Sequence, residues 1–259
     1  MATTMGFFTD QSLCIGCKAC EVACKQWNQL PADGFEWRGT SYDNTRHLSS
    51  ETWRHVAFIE QDDVKKQETG KSVDWLMVSD VCKHCSNAGC MEACPTGAII
   101  RNEFGDVYVQ PDICNGCGYC VPSCPFGVIE QDEHWGVAQK CTLCYDRQKI
   151  GIEPACAKAC PTDSIKFGNL DELREKARER VGVLQERGVT NAYLYGVDED
   201  TSVGDLNSFF LLTERPSTYN LPEKPKLPQD NLVPAFVASF VAATFMTVSM
   251  ALSLRKKKR

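Results

Sequence analysis

The sequence predicts an α+β protein assembled from small cysteine-bounded units and closed by one C-terminal transmembrane helix. Three observations predict it. All sixteen cysteines of the 259-residue chain fall into four groups of four, short two-stranded patterns separate successive groups, and a 23-residue uncharged segment precedes five terminal basic residues.

The cysteine groups are Cys14/Cys17/Cys20/Cys24, Cys82/Cys85/Cys90/Cys94, Cys114/Cys117/Cys120/Cys124 and Cys141/Cys144/Cys156/Cys160. The first and third read C-x2-C-x2-C-x3-C, the bacterial ferredoxin spacing, and the last three end in Cys-Pro. Sixteen thiols in four quartets match four [4Fe-4S] clusters. A disulfide framework would also consume an even number of cysteines, but it imposes no such repeat. Zinc is satisfied by two C-x2-C pairs and has no use for the third cysteine or for a distant fourth. In the ferredoxin pattern three thiolates of one loop hold three corners of a cubane and the fourth cysteine serves another cluster. Clusters that tie loops together substitute for a conventional core, so the apo-protein is expected to be poorly folded.

Between the first two groups, Trp53 to Glu60 and Val73 to Ser79 read as two strands joined by a polar loop, Gln61 to Lys71. Pro31 to Ser50, rich in turn formers and aromatics, reads as an ordered loop, and Trp27, Trp37 and Trp53 as packing residues rather than electron carriers. The second and third groups are 19 residues apart, enough for a hairpin of Ala98 to Arg101 with Val107 to Val109 around a turn at 102–106. Cysteine motif, hairpin and cysteine motif make the repeat of a two-cluster ferredoxin. Val128-Ile129 and Val137-Ala138 are placed as the equivalent hairpin before the fourth group, whose eleven residues between Cys144 and Cys156 bulge at Asp146-Arg147 and Gly151.

Asn169 caps a helix over Leu170 to Arg187, with apolar residues at Leu170, Leu173, Ala177, Val181 and Leu184 and Gly188 as its stop. Strands are expected at Val189 to Val197 and Phe209 to Thr213. Five prolines from Pro216 to Pro234 then mark an extended connector.

Leu232 to Leu254 is long enough to span a bilayer. The basic residues Arg255 to Arg259 place the C-terminus in the cytoplasm and the cysteine-rich part on the extracytoplasmic face. Met1 to Leu13 shows no export signal, so a partner that carries one is expected to export the assembled pair. Residues 1 to 254 hold 23 basic and 34 acidic residues, a surface poorly suited to nucleic acid.

Taken together, the chain resembles the iron–sulfur beta subunits of membrane-bound respiratory formate dehydrogenases. The matching stretches are Cys14-Ile15-Gly16-Cys17-Lys18-Ala19-Cys20, Tyr42-Asp43-Asn44, Cys82-Lys83-His84-Cys85, Lys140-Cys141-Thr142-Leu143-Cys144, Glu153-Pro154-Ala155-Cys156 and Ala159-Cys160-Pro161-Thr162, followed by the helix, connector and terminal span. The cysteine motifs alone are shared with beta subunits of nitrate, dimethyl sulfoxide and polysulfide reductases; the connector and anchor favour formate dehydrogenase. The strongly basic terminus is a departure from the family pattern.

The resemblance implies two ferredoxin-like units related by pseudo-twofold symmetry: residues 1–60 with 133–168 (motifs one and four) and residues 61–132 (motifs two and three). A helix-strand extension (169–215), the connector (216–231), the transmembrane helix (232–254) and the basic tail (255–259) follow. It implies four clusters: Cys14, Cys17, Cys20 and Cys160; Cys24, Cys141, Cys144 and Cys156; Cys82, Cys85, Cys90 and Cys124; and Cys94, Cys114, Cys117 and Cys120. The adjacency of motifs two and three supports their pairing independently, whereas closure of motif one with motif four comes from the resemblance.

The implied function is non-catalytic electron transfer. Electrons would pass from a molybdenum- or tungsten-pterin alpha subunit oxidising formate to a cytochrome b gamma subunit or quinone in the inner membrane. No residue is assigned to catalysis. A zinc or redox-sensing scaffold is the alternative from another class. Backbone N–H groups near Gly16, Gly89, Gly116 and Gly118 are expected to donate to cluster sulfurs. Lys83 and His84 read either as residues that tune a cluster or contact a partner, or as a solvated loop, while His47, His55 and His134 read as structural. Asp62-Asp63 and Asp198-Glu199-Asp200 read as solvated turns.

Overall fold

The computed structural model describes residues 3–32, 34, 35, 37, 44–61, 74–198 and 200–256. Tyr42, Asp43, the polar loop beyond Gln61 with Asp62 and Asp63, Val73, Glu199, and Lys257, Lys258 and Arg259 lie outside the described residues.

The chain opens with β1 (Met5–Asp10), whose Phe7 and Phe8 are both buried, and continues through the first cysteine loop into α1 (Ala19–Asn28). β2 (Arg54–Gln61) and β3 (Asp74–Val81) then pair antiparallel from Arg54 opposite Val81 to Gln61 opposite Asp74. The two strands expected here are present. Single helical turns occur within the later cysteine motifs: α2 (Gly89–Glu92) in the second, and α3 (Tyr145–Gln148) and α4 (Ala155–Lys158) in the fourth.

The hairpin between the second and third groups is also present, as β4 (Ile99–Arg101) against β5 (Val107–Val109). Its turn is local chemistry. Asn102 Oδ1 accepts the N–H groups of Phe104 (3.0 Å) and Asp106 (2.9 Å), and Gly105 takes the positive φ of 84° that closes it. The next hairpin, β6 (Glu130–Gln131) against β7 (Ala138–Gln139), begins two residues later than expected. Val128 and Ile129 are apolar because they sit among the cysteines in the core, not because they pair.

A four-stranded sheet ties the ends of the cysteine-rich region together. β8 (Ile165–Asn169) runs antiparallel to β1, which runs parallel to β10 (Ser208–Leu212), which is antiparallel to β9 (Tyr193–Tyr195). β10 is the central strand of the extension and every residue of it is buried, so its five apolar-rich positions show no alternation. Phe8 of β1 stacks on Phe209 at 5.3 Å between ring centroids.

Against this sheet lies α5 (Leu170–Glu186), with Leu170, Leu173, Ala177 and Leu184 buried. Asn169 caps it as expected, its Oδ1 accepting from Asp171 at 2.9 Å and Glu172 at 3.4 Å, and Gly188 at φ 93° follows its end. Val181, on the same stripe, is only half-buried.

The proline-rich segment is not an extended spacer, contrary to the expectation. It folds into two single 3-10 turns, Pro216–Tyr219 and Pro228–Asn231, and buries Tyr219, Leu221 and Leu227 in the core beneath α5. Proline at the first turn position presets φ without losing a needed donor, and the apolar residues between prolines supply the burial. After the strap comes α6 (Leu232–Lys256), apolar from Leu232 to Leu254 and, among the described residues, not buried by the rest of the chain.

Candidate iron–sulfur sites

The loops that carry the cysteines are held by short-range devices. At the end of β1, Asp10 Oδ1 accepts both the N–H (3.0 Å) and the hydroxyl (2.6 Å) of Ser12, turning the chain into the first motif. Gly16 then adopts φ 67°, and any side chain there would strike Phe58 and Met77. Lys18, also left-handed, starts α1, which displays Cys20 and Cys24 one turn apart. Both are buried while Cys17 is exposed.

Motifs two and three cross each other closely. A β-carbon on Gly89 would lie 2.6 Å from the carbonyl oxygen of Ser123, so glycine is what lets the Cys90 turn approach the loop bearing Cys124. Between them is a small pocket whose walls include Cys82, Cys85, Cys90 and Cys124. A β-carbon on Gly116, at φ 69°, would likewise lie 2.2 Å from the Gly136 carbonyl oxygen. The glycine expectation therefore divides: the Gly16 N–H does donate to the Cys14 sulfur, whereas Gly89 and Gly116 permit close backbone approach.

The thiols perturb one another in a consistent pattern. Burial raises Cys14, with Cys160 and Cys17 adding to it. Cys24 is raised by burial and then by Cys156 and Cys144, and Cys144 is pushed up to about 12 by burial and Cys156. Cys85 is raised by burial, then by Cys82, Cys124 and Cys90. Cys120 is pushed up to about 11 by burial, with Cys114, Cys117 and Cys94 as its thiol neighbours. Thiolates crowded and buried in this way need a compensating cation, which iron supplies. The donor set fits the cluster. Among the described residues no His, Cys, Asp or Glu side chains converge as the ligands of a single ion would. Cys82, Cys85 and Cys90 of the second motif and Cys124 of the third instead line one common pocket.

Cysteines followed by proline share a further feature. Burial of Cys94 is outweighed by the Thr96 hydroxyl (3.6 Å) and by the backbone N–H groups of Ile99, Thr96 and Ala98, so its thiol lies below the usual range. Cys160 repeats the arrangement, burial being outweighed by the N–H groups of Ile165, Thr162 and Ser164 and by the Thr162 hydroxyl at 3.8 Å. Cys124 receives N–H bonds from Val128 and Phe126. Proline fixes φ just after the cysteine and the chain wraps back around the sulfur. Cys24 has no proline after it, because α1 continues to Asn28, and there the Asn28 amide stands 3.6 Å from the sulfur.

Cations are buried between the cysteine groups. Lys83 and His84 are 0% and 1% exposed, which overturns the solvated-loop reading. The Lys83 ammonium bonds Asp80 and the Val81 carbonyl (2.8 Å) and faces the rings of Phe126 and Phe210. His84 Nδ1 accepts the Val107 N–H at 3.1 Å, and burial, Lys140, Arg101 and Arg54 keep the ring neutral. Lys140, also buried, bonds the carbonyls of Val107 and Cys141 and the sulfur of Cys82. Arg54 is buried beside Cys156, Cys20, Cys141 and Cys24. Sequence reasoning missed Arg54 and Lys140. Lys140 abuts a cysteine motif, a signal available in the sequence, whereas Arg54 sits on a strand far from any.

Of the histidines read as structural, His55 pairs with Glu21 at 3.3 Å and His134 packs on Trp135, with ring centroids 4.8 Å apart. Trp53 is half-buried and donates to the Ser50 carbonyl, Trp27 is bonded to Asp146 (2.8 Å), and Trp37 is exposed. Asp198 is exposed and paired with Arg178.

Two 4Fe-4S dicluster domain families match the chain, one over residues 73–170 and the other over residues 13–98. The formate dehydrogenase iron-sulfur subunit of Haemophilus influenzae is 40% identical over 222 residues, 84% of this chain and 68% of that protein. The nitrate-inducible formate dehydrogenase iron-sulfur subunit of Escherichia coli is 39% identical over 243 residues, 90% of this chain and 79% of that protein. A subunit of the anaerobic dimethyl sulfoxide reductase of Escherichia coli is 36% identical over 176 residues, 68% of this chain and 78% of that protein. Similarity to the formate dehydrogenase subunits extends over more of the chain than similarity to the reductase. With its paired cysteine motifs, buried thiols and this breadth of likeness, the chain belongs to the family of formate dehydrogenase iron–sulfur subunits, whose work is electron transfer rather than catalysis.

Proposed function

We propose that this chain relays electrons through four [4Fe-4S] clusters, from a molybdenum- or tungsten-pterin subunit that oxidises formate to a membrane cytochrome b or quinone. When bound, the clusters supply one-electron oxidation and reduction. The ligand sets are Cys14, Cys17, Cys20, Cys160; Cys24, Cys141, Cys144, Cys156; Cys82, Cys85, Cys90, Cys124; and Cys94, Cys114, Cys117, Cys120.

One observation supports the reading: thiols of successive groups lie close enough to perturb one another electrostatically. Cys20 feels Cys156, Cys141 feels Cys82, and Cys90 feels Cys120, so each group abuts the next in the order given. Cys17 and Cys117, in the first and last groups, are the exposed thiols, as the two ends of a relay would be.

The chain's own residues have three tasks in this reading. Sixteen thiolates hold the iron, the buried walls exclude water, and N–H donors and buried cations stabilise negative charge at the sulfurs. Antiparallel pairing of β1, before motif one, with β8, after motif four, supports a first ferredoxin-like unit of residues 1–60 and 133–168. Residues 61–132 form the second unit, related to it by pseudo-twofold symmetry. Residues 169–215, 216–231, 232–254 and 255–259 are the extension, strap, membrane span and basic tail.

The apolar α6, unburied by the rest of the chain, anchors it in the inner membrane. The basic tail sets the C-terminus in the cytoplasm and the clusters outside. An equivalent subunit of another molybdopterin oxidoreductase is the second reading, favoured by the likeness to the dimethyl sulfoxide reductase subunit.

Purification through the membrane anchor with mass spectrometry of the partners tests these points. A formate-oxidising pterin subunit and a cytochrome b should co-purify, with about sixteen irons on this chain. Zinc without iron, or formate turnover by this chain alone, would refute the proposal.

A further inference from the structure

Arg54 is among the largest fully buried side chains of the protein, 1% exposed on β2. Its guanidinium has no carboxylate partner among the described residues. Nη1 donates to Ser79 Oγ at 3.0 Å, and the plane lies 4.8 Å above the Phe7 ring. Nε and Nη2, which carry most of its N–H bonds, have no hydrogen-bond partner.

An isolated buried cation is one of the costliest groups a fold can contain. A guanidinium cannot escape by losing its proton. Arg54 therefore needs an anion, and the side chains beside it that become anionic on binding a cluster are cysteines of two groups: Cys14 and Cys20 of the first, and Cys24, Cys141 and Cys156 of the second. Ser79 extends the contact. Its oxygen, having accepted from Arg54, is free to donate its hydrogen to Cys20 Sγ, 3.3 Å away. Bonds in such a chain polarise one another.

We propose that Arg54 is a positioning residue for electrons. Its guanidinium, directly and through Ser79, stabilises the added negative charge when either of the sites held by Cys14/Cys17/Cys20/Cys160 and Cys24/Cys141/Cys144/Cys156 is reduced, and so raises both couples together. The inference rests on the four-cluster reading above. Reduction of each site adds one electron and no proton moves, because the guanidinium stays protonated in both states.

The test is a potentiometric titration of the purified complex, followed by electron paramagnetic resonance, with iron content measured for every variant. In R54M the reduced-to-oxidised ratio at fixed potential falls at least about tenfold for two couples, equivalent to about 59 mV for a one-electron couple, and the other two couples do not move. R54K, which keeps the charge, stays within about threefold of the wild type, and S79A lowers only the couple ligated by Cys20, by about threefold.

Four wild-type couples that R54M and S79A both leave in place would overturn the role of Arg54 alone. So would R54K falling as far as R54M, since packing rather than charge would then matter. If R54M does not load iron, S79A decides: one lowered couple supports the proposal and none refutes it. A wild type lacking the four couples would instead overturn the reading beneath.

Discussion

Asp10 Oδ2 and Arg180 Nε meet at 2.8 Å across 170 positions of the chain, joining the end of β1 to α5. The other oxygen of the same carboxylate holds Ser12, so a single side chain both starts the first cysteine loop and clasps it to the extension. Asp10 is 1% exposed. Removing the guanidinium strands a buried charge, so R180M is expected to lose about 2 kcal/mol. The measurement is the denaturant midpoint for loss of cluster absorbance. A midpoint equal to the wild type would show the pair to be idle.

Gly89 should not tolerate a methyl group. In G89A the new β-carbon meets a backbone carbonyl at 2.6 Å and Leu227 Cδ2 at 2.8 Å. Leu227 can yield; the Ser123 backbone cannot without moving Cys124. Overpacking of this kind costs about 1–3 kcal/mol, and the site shared by motifs two and three should lose iron first. Full iron occupancy at unchanged stability would contradict the close crossing of the two loops.

Asp106 provides a pH dependence. Burial pushes its carboxyl up to about 6, against hydrogen bonds from Asn102 (3.0 Å) and Gln148 (2.7 Å) and the Lys140 charge. Because the folded protein holds this proton more tightly than the unfolded chain, with its ordinary value of 3.8, the contribution is complete below pH 3.8 and is lost as pH rises through about 6. Between about pH 5 and about pH 7.5 the stability measured by denaturant should fall less in D106N than in the wild type, by about 1 kcal/mol. Parallel profiles would exclude Asp106 as the titrating group.

Cys160 tests the crossed ligation. Its sulfur raises Cys14 although 146 positions separate them, and it receives three backbone N–H bonds of its own. C160S is expected to weaken or convert a single cluster, with loss of one resonance and up to about four irons. Retention of every resonance and of full iron content would rule out the pairing of motif one with motif four.

Local chemistry explains what could be read from residues alone. The cysteine spacing, the Asn102–Asp106 turn, the Asn169 cap and the uncharged terminal segment each lie within a short stretch, and each specifies its ligand type, hairpin, helix start or span without reference to the rest of the chain. The β6–β7 hairpin lies beyond its expected place because Val128 and Ile129 are apolar for the sake of the cysteine core. Apolarity records burial and does not say what buries it.

By itself, then, the sequence determined the electron-carrying chemistry, the β2–β3 and β4–β5 hairpins, α5 and the membrane-length helix. Only the tertiary structure decided that β1 lies between β8 and β10, that Tyr219, Leu221 and Leu227 turn the proline-rich segment into a buried strap, and that Arg54 reaches two cysteine groups at once. Those relationships join segments far apart in the chain. Strand pairing and the burial of a charge depend on what long-range closure brings alongside, and no spacing within one segment records that.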